Sequence, residues 1–167
     1  MKVLVISASK HGATTEIADA ITETLLASGI DADHRAPAEV GDLTEYDAVV
    51  IGSAIYTGRW LEPARRLIER QHAALEGLPV WLFSSGPVGD PLAPTEEPQD
   101  GVRLCRELKA RQHVVFAGKL NASDLSWVER TITGMLKSPY GDFRNWDAIR
   151  AWAQEIATAL MPGGETA

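Results

Sequence analysis

Val3-Leu4-Val5-Ile6 runs directly into Ser7-Ala8-Ser9-Lys10-His11-Gly12-Ala13-Thr14-Thr15, and beyond it Ile17, Ala18, Ile21 and Leu25 recur at helical spacing. The first run is short, apolar and rich in β-branched residues, the pattern of a strand buried on both faces. The last four residues draw one apolar stripe on a helix that Gly29 would end from the position just past its terminus. Strand, short polar loop and amphipathic helix make the first half of a βαβ unit. A chain that repeats this pattern folds with right-handed crossovers into a parallel sheet covered on both sides.

The pattern does repeat. Apolar runs at Ala48 to Ile51, Val80 to Phe83 and Val114 to Ala117 read as further buried strands, and Ile30 to Arg35, which alternates after Gly29, as an edge strand second in chain order. Pro63 suits the first turn of a helix with Ala64, Leu67, Ile68 and Leu75 on its buried side. Val102, Leu104, Cys105 and Leu108 suggest another. Ile149, Trp152, Ala153, Ile156, Ala157 and Leu160 mark the last. The expected class is doubly wound α/β with five parallel strands in the order 2-1-3-4-5, as one domain over residues 1–161 with a fraying tail at 162–167.

Two segments interrupt the rhythm: Ser84 to Gly101, dense in Pro, Gly and acids, and Leu120 to Phe143, between the last strand and the last helix. Long connections in compact domains are usually functional or mobile. In the second, Leu125, Val128, Ile132, Met135 and Leu136 have helical spacing behind the capping-box string Ser126-Trp127-Val128-Glu129, which predicts an inserted amphipathic helix.

Composition narrows the partners. With 45% hydrophobic and 23% charged residues, the 167-residue chain has the makeup of an ordinary globular protein. A net charge of -7, from 16 basic and 23 acidic residues, disfavours a nucleic-acid surface. The single cysteine, Cys105, excludes an internal disulfide and paired-thiolate metal chemistry, which points to a reducing compartment. The first apolar run is too short for a signal-peptide core and no stretch approaches the roughly twenty apolar residues of a membrane span, so a cytoplasmic location is expected.

Ligands of open α/β sheets bind beyond the carboxyl ends of the strands, where the loop Ser7 to Thr15 lies. Its hydroxyls, its single glycine and a helix amino terminus suit a phosphate monoester, with Lys10 and His11 adding positive charge. The plainer alternative is that Ser9 or Thr14 caps the helix and Gly12 turns the chain. Neither G-x-G-x-x-G nor G-x-x-x-x-G-K-[ST] is present, which disfavours a pyrophosphate or a triphosphate. Cys105 to Arg111 spells the phosphatase string C-x5-R, but inside a helical stripe; His34, His72 and His113 share no metal-ligand spacing. The acidic pair and phosphoacceptor Asp of a receiver domain are missing: the corresponding positions hold Ser7-Ala8-Ser9 and Gly52-Ser53.

Ser9-Lys10-His11-Gly12-Ala13-Thr14 resembles the phosphate loop T/S-x-T-G-x-T of the flavodoxin superfamily, with His11 in place of the middle Thr. Tyr46-Asp47-Ala48-Val49-Val50-Ile51-Gly52-Ser53-Ala54-Ile55 and Asn145-Trp146-Asp147-Ala148-Ile149-Arg150-Ala151-Trp152-Ala153-Gln154-Glu155-Ile156-Ala157 resemble strings of its menaquinone-dependent protoporphyrinogen oxidase branch. The resemblance implies FMN, its phosphate on Ser9, Lys10, His11, Gly12, Ala13 and Thr14. It also implies that Gly52 to Trp60 lies along one face of the isoalloxazine and Ser84 to Asp90 along the other. Ser53, Ala54, Ile55, Tyr56, Thr57 and Gly58 are then cofactor-binding residues, as are Ser85, Gly86, Pro87 and Asp90.

Tyr56 is favoured over Trp60 for contact with the ring, and Arg59 suits a carboxylate-bearing substrate. Asp90, Glu96, Glu97 and Asp100 would make the second loop acidic and lower the flavin's reduction potential. No residue is singled out as catalytic. The resemblance implies a porphyrinogen or a quinone as substrate; the alternative is an electron carrier that docks on redox partner proteins. The segment Leu120 to Phe143 favours an enzyme, while its near balance of Asp124, Glu129, Arg130, Lys137 and Asp142 gives little attraction to anionic lipid.

Overall fold

Strand β1 (Lys2–Ala8) pairs in parallel with β2 (Asp31–Arg35) on one side and with β3 (Ala48–Tyr56) on the other. In the computed structural model, which describes residues 1–86, 98–120 and 141–161, β3 next pairs with β5 (Val80–Ser85) and β5 with β6 (Gln112–Phe116). The order β2-β1-β3-β5-β6 is the expected 2-1-3-4-5 of the parallel strands. The alternating segment does form the edge strand, β2.

Two apolar layers flank the sheet. Helices α1 (Ala13–Ala27) and α4 (Trp146–Leu160) cover one face, burying Ile17, Ile21, Leu25, Trp152 and Ile156 against Val3, Val5, Val50 and Phe83. Helices α2 (Glu62–Glu76) and α3 (Gln99–Glu107) cover the other, where Leu67, Ile68, Leu75 and Leu104 meet Leu4, Ile6, Val49 and Leu82. The side chains of a strand alternate between these layers because its period is two. The stripes expected on α1, α2 and α4 are the buried faces; on α3, Val102 and Cys105 are only half-buried.

Several strands outlast their apolar runs. β1, β3 and β5 continue into small and polar residues that still pair: Ser7 with Gly52, Ala8 with Ser53, Ser53 with Ser84 and Ala54 with Ser85. Past that point β3 folds back on itself. Tyr56 pairs with Arg59 and Ile55 with Trp60 of the short antiparallel β4 (Arg59–Trp60), around Thr57 and Gly58 with φ of 50° and 76°. Positive φ at both central residues is the two-residue hairpin turn whose twist matches its strands. The stretch Gly52 to Trp60, expected along one face of the ring, is therefore a strand end and a tight hairpin. Thr57-Gly58 is the signal that went unread, because an unusual φ at Thr is not written in its identity.

After β6, Lys119–Leu120 (β7) pairs antiparallel with Gly141–Asp142 (β8), and the Phe143 N–H donates to the Gly118 carbonyl at 3.1 Å. The long excursion thus leaves and returns at one narrow base beside the carboxyl end of β6. The inserted helix expected within it, like the tail 162–167, lies outside the described residues.

Candidate functional site

At the carboxyl end of β1 the chain turns through Ser9 to Gly12. The Gly12 N–H donates to Ser9 Oγ at 2.9 Å, closing the turn, and Gly12 has φ 86°. Helix α1 then starts with the Glu16 N–H on the Gly12 carbonyl at 3.0 Å. Gly12 is the N-cap, and among the described residues no side chain caps the helix. Ser9 thus closes the turn and does not cap α1, and Thr14 lies buried in the first turn. A helix without a capping side chain presents its first N–H groups and the positive end of its dipole to whatever lies beyond. A Cβ built on Gly12 would meet no atom of the described residues within 4 Å. Lys10 and His11 are exposed on this turn, and Lys10 Nζ stands 5.0 Å from the centre of the Tyr56 ring, bridging the first loop to the hairpin.

The hairpin is held from beneath by a buried polar network. Trp60 is 2% exposed; its backbone N–H donates to Asp100 Oδ2 at 2.9 Å and its indole N–H to Ser84 Oγ at 2.8 Å. Ser84 Oγ in turn lies 2.8 Å from His113 Nε2. Ser53 is fully buried, accepting from the Leu61 N–H at 2.9 Å and donating to the Ala54 carbonyl at 2.8 Å. Satisfied networks of this kind fix one geometry, because leaving any member unpaired in a low-dielectric interior is costly. Tyr56, at the hairpin tip, is 37% exposed.

An uncapped helix start on the ligand side of a 2-1-3-4-5 sheet, beside a rigid aromatic hairpin, is joined by the sequence match to the flavodoxin domain over residues 4–146. The chain belongs to the flavodoxin-domain family. Members of this family are flavoproteins of electron transfer. Over 174 aligned residues the chain is 25% identical to a protein of Escherichia coli (strain K12) called protoporphyrinogen IX dehydrogenase [quinone], covering 94% of this chain and 95% of that one. Solved flavodoxins share the fold. One from the domain Archaea matches with a TM-score of 0.67 and 18% identity over 94% of this chain and 96% of its own. Oxidised flavodoxin 1 of Bacillus cereus matches with 0.65 and 15% over 96% and 100%.

Within this flavodoxin-domain chain the expected site residues divide by environment. Lys10, His11, Tyr56 and Thr57 are exposed, and Ser9, Gly12, Ala13, Ala54, Ile55 and Gly58 are half-buried around the same sheet edge. Ser53 belongs to the network under the hairpin, where its hydroxyl is engaged by protein partners. Ser85 is buried as the last residue of β5. Gly86 packs so closely that a Cβ on it would lie 3.2 Å from the Ile55 nitrogen, and a Cβ on Gly118 would lie 2.9 Å from Gly86 Cα. Pro87 and Asp90, with Glu96 and Glu97, lie outside the described residues.

Two aromatic and acidic assignments change. The Trp60 indole is inside the protein, with its N–H on Ser84. Asp100 is 5% exposed, on α3, bonded to Trp60 and ion-paired with Arg103 at 3.3 Å, so it adds nothing to an acidic loop. Ser84, His113 and Asp100 were not read as one network in the sequence; residues so far apart in the chain meet only through the topology. Cys105 is half-buried on α3 with its thiol directed at the Ala110 carbonyl, 3.7 Å away, so C-x5-R forms no anion loop. Ser7 Oγ, His34 and Asp19 form a chain at 2.8 and 2.7 Å in the order of a hydrolase triad, but Ser7 is 4% exposed, and the chain ties β1, β2 and α1 together. Among the described residues no group of His, Cys, Asp and Glu could hold a metal, and no helix is long and apolar enough to cross a membrane.

Proposed function

We propose that this chain binds FMN at the carboxyl ends of β1, β3 and β5 and is an FMN-dependent oxidoreductase acting on a small planar substrate, a porphyrinogen or a quinone. The observation that carries the cofactor reading is the amino terminus of α1. Among the described residues no side chain caps it, and none comes within 4 Å of where a Cβ on Gly12 would stand. These features fit a single terminal phosphate, which accepts several N–H bonds and gains from the helix dipole. Ser9, Gly12, Ala13 and Thr14 would hold the phosphate, with Lys10 and His11 adding charge. Tyr56 on its braced hairpin would lie against the ring, and Ala54, Ile55, Thr57, Gly58, Ser85, Gly86, Pro87 and Asp90 would complete the ring's surroundings. When bound, FMN supplies the capacity to pass electrons singly or in pairs.

The protein's share of the chemistry is placement. A rigid hairpin and a fixed helix start hold a planar group without reorganisation on each turnover. Arg59, exposed on β4 opposite Tyr56, is placed to pair with a substrate carboxylate. The likeness to the Escherichia coli dehydrogenase supports the enzyme reading, as does the base of the 121–140 excursion at the sheet edge that carries the proposed site. A single cysteine and the apolar pattern support a one-domain cytoplasmic protein over residues 1–161.

The test is a spectrum followed by an assay. Added FMN should give a bound-flavin absorption spectrum that bleaches on anaerobic reduction, and the loaded protein should turn over protoporphyrinogen with a quinone. Reduction of protein acceptors alone, with no turnover of either small substrate, would replace the enzyme by a carrier.

A further inference from the structure

Arg144 stands 131 residues from Ala13 in the chain and touches the same helical turn. Its side chain is only 3% exposed, although arginine is almost never fully buried unless it is paired. Four of its N–H groups are engaged. Nε and Nη2 make a two-pronged contact with Asp142 at 2.8 and 2.6 Å, and Nη1 reaches Glu16 Oε2 at 2.5 Å and the Ala13 carbonyl at 3.2 Å. The guanidinium also lies over the Trp146 ring, 4.5 Å from its centre. A planar five-donor group is suited to such a junction, and a lysine is not.

Glu16 sits in the first turn of α1, where a carboxylate is favourable for the helix but unfavourable for any second anion. A phosphate at that terminus would meet the full negative charge of Glu16 unless a cation compensated it. Arg144 supplies that cation, shared between Glu16 and Asp142, and so removes one of the two negative charges that the carboxylates would otherwise hold beside the turn. Its partner Asp142 belongs to β8, so the same side chain ties the turn to the base of the long excursion.

We propose that Arg144 is a positioning residue of the phosphate turn: it pins Ala13 and neutralises Glu16, leaving the amino terminus of α1 aligned and open to an anion. The proposal rests on the FMN reading above and extends it to a residue that approaches the turn from the far end of the chain. It separates two consequences. The electrostatic part acts on a ligand that carries phosphate and spares riboflavin, which does not. The alignment part acts on α1 with no ligand present.

The experiment measures dissociation constants for FMN and riboflavin in the wild type, Arg144→Ala, Arg144→Lys, Glu16→Gln and the double variant Arg144→Ala/Glu16→Gln. It is accompanied by amide exchange of Glu16 in the flavin-free proteins. Arg144→Ala should weaken FMN by about tenfold or more, the equivalent of one lost charge compensation, and leave riboflavin within about twofold, since riboflavin feels no lost charge pair. Adding Glu16→Gln should restore most of the FMN affinity, and Arg144→Lys should fall between wild type and Arg144→Ala. The Glu16 amide should exchange faster in Arg144→Ala. Equal losses for FMN and riboflavin, or no recovery in the double variant, would overturn the proposal and leave Arg144 a purely structural tie. A wild type that binds FMN no better than riboflavin would sink the phosphate reading and the electrostatic part with it; unchanged Glu16 exchange would sink the alignment part independently. If Arg144→Ala fails to fold, Arg144→Lys and Glu16→Gln carry the same comparison: the first must lower the ratio of FMN to riboflavin affinity and the second must not.

Discussion

Two glycines at the heart of this molecule act for different reasons, and substituting them should fail differently. Gly12 has φ 86° with open space where a Cβ would point, whereas a Cβ on Gly52 would fall 2.0 Å from the Phe83 ring. Phe83 cannot swing away, since Phe116 and Trp152 hold it at 6.0 and 6.1 Å between ring centres. Gly52→Ala should therefore lower stability by about 1–3 kcal/mol or more, as overpacking does in close-packed cores, read as the shift in a urea midpoint. Gly12→Val should instead abolish FMN binding with a circular dichroism spectrum close to wild type. The branched side chain strains the left-handed turn and enters the space proposed for phosphate. Normal FMN binding by Gly12→Val would place the cofactor elsewhere. His11→Ala, removing an exposed donor, should weaken FMN only modestly in the same titration.

Among the elements, the excursion between β7 and β8 is the one whose removal should separate cofactor binding from chemistry. Leu120 and Gly141 are already ladder partners, so a two-residue Asn-Gly turn can replace the residues between them without moving the strands. The expected outcome is a protein that keeps its FMN affinity and loses turnover of porphyrinogen and quinone. Full turnover by the deletion variant would remove the excursion from the reaction, and parallel loss of FMN and stability would make it packing alone.

The elements also show what the sequence could tell. The apolar runs of the strands and the stripes of α1, α2 and α4 were legible because burial imposes periods of 2 and 3.6 directly on residue identity. The 53–60 hairpin was not, since its last strand is two residues long and its turn begins at Thr57. The turn after β1, where the phosphate is proposed to bind, was legible from its position and small residues. The contacts of Trp60 with Asp100 and of Arg144 with Ala13 were not, because contacts across 40 and 131 residues depend on the fold and leave no spacing to read.

At the scale of the whole molecule, charge links stability to pH. The Arg144 guanidinium holds the Asp142 carboxyl below the usual carboxylate range, and Lys2 does the same to Asp33. A folded-state value below the unfolded one stabilises the protein at neutral pH, and that contribution is lost as pH falls through the carboxylate range toward the depressed values. The urea midpoint should thus drop on acidification, and Asp142→Asn should be less stable at neutral pH with a shallower drop; an unaltered acid profile would show the Asp142 pair to be thermodynamically silent.

The proposed cofactor site depends on one phosphate at one helix terminus. Calorimetric titration of the purified protein with FMN, FAD and riboflavin tests that most directly. Tight binding of FMN, with FAD and riboflavin much weaker, is the predicted result. Equal affinity for FMN and riboflavin, or no binding of any of the three, would contradict it.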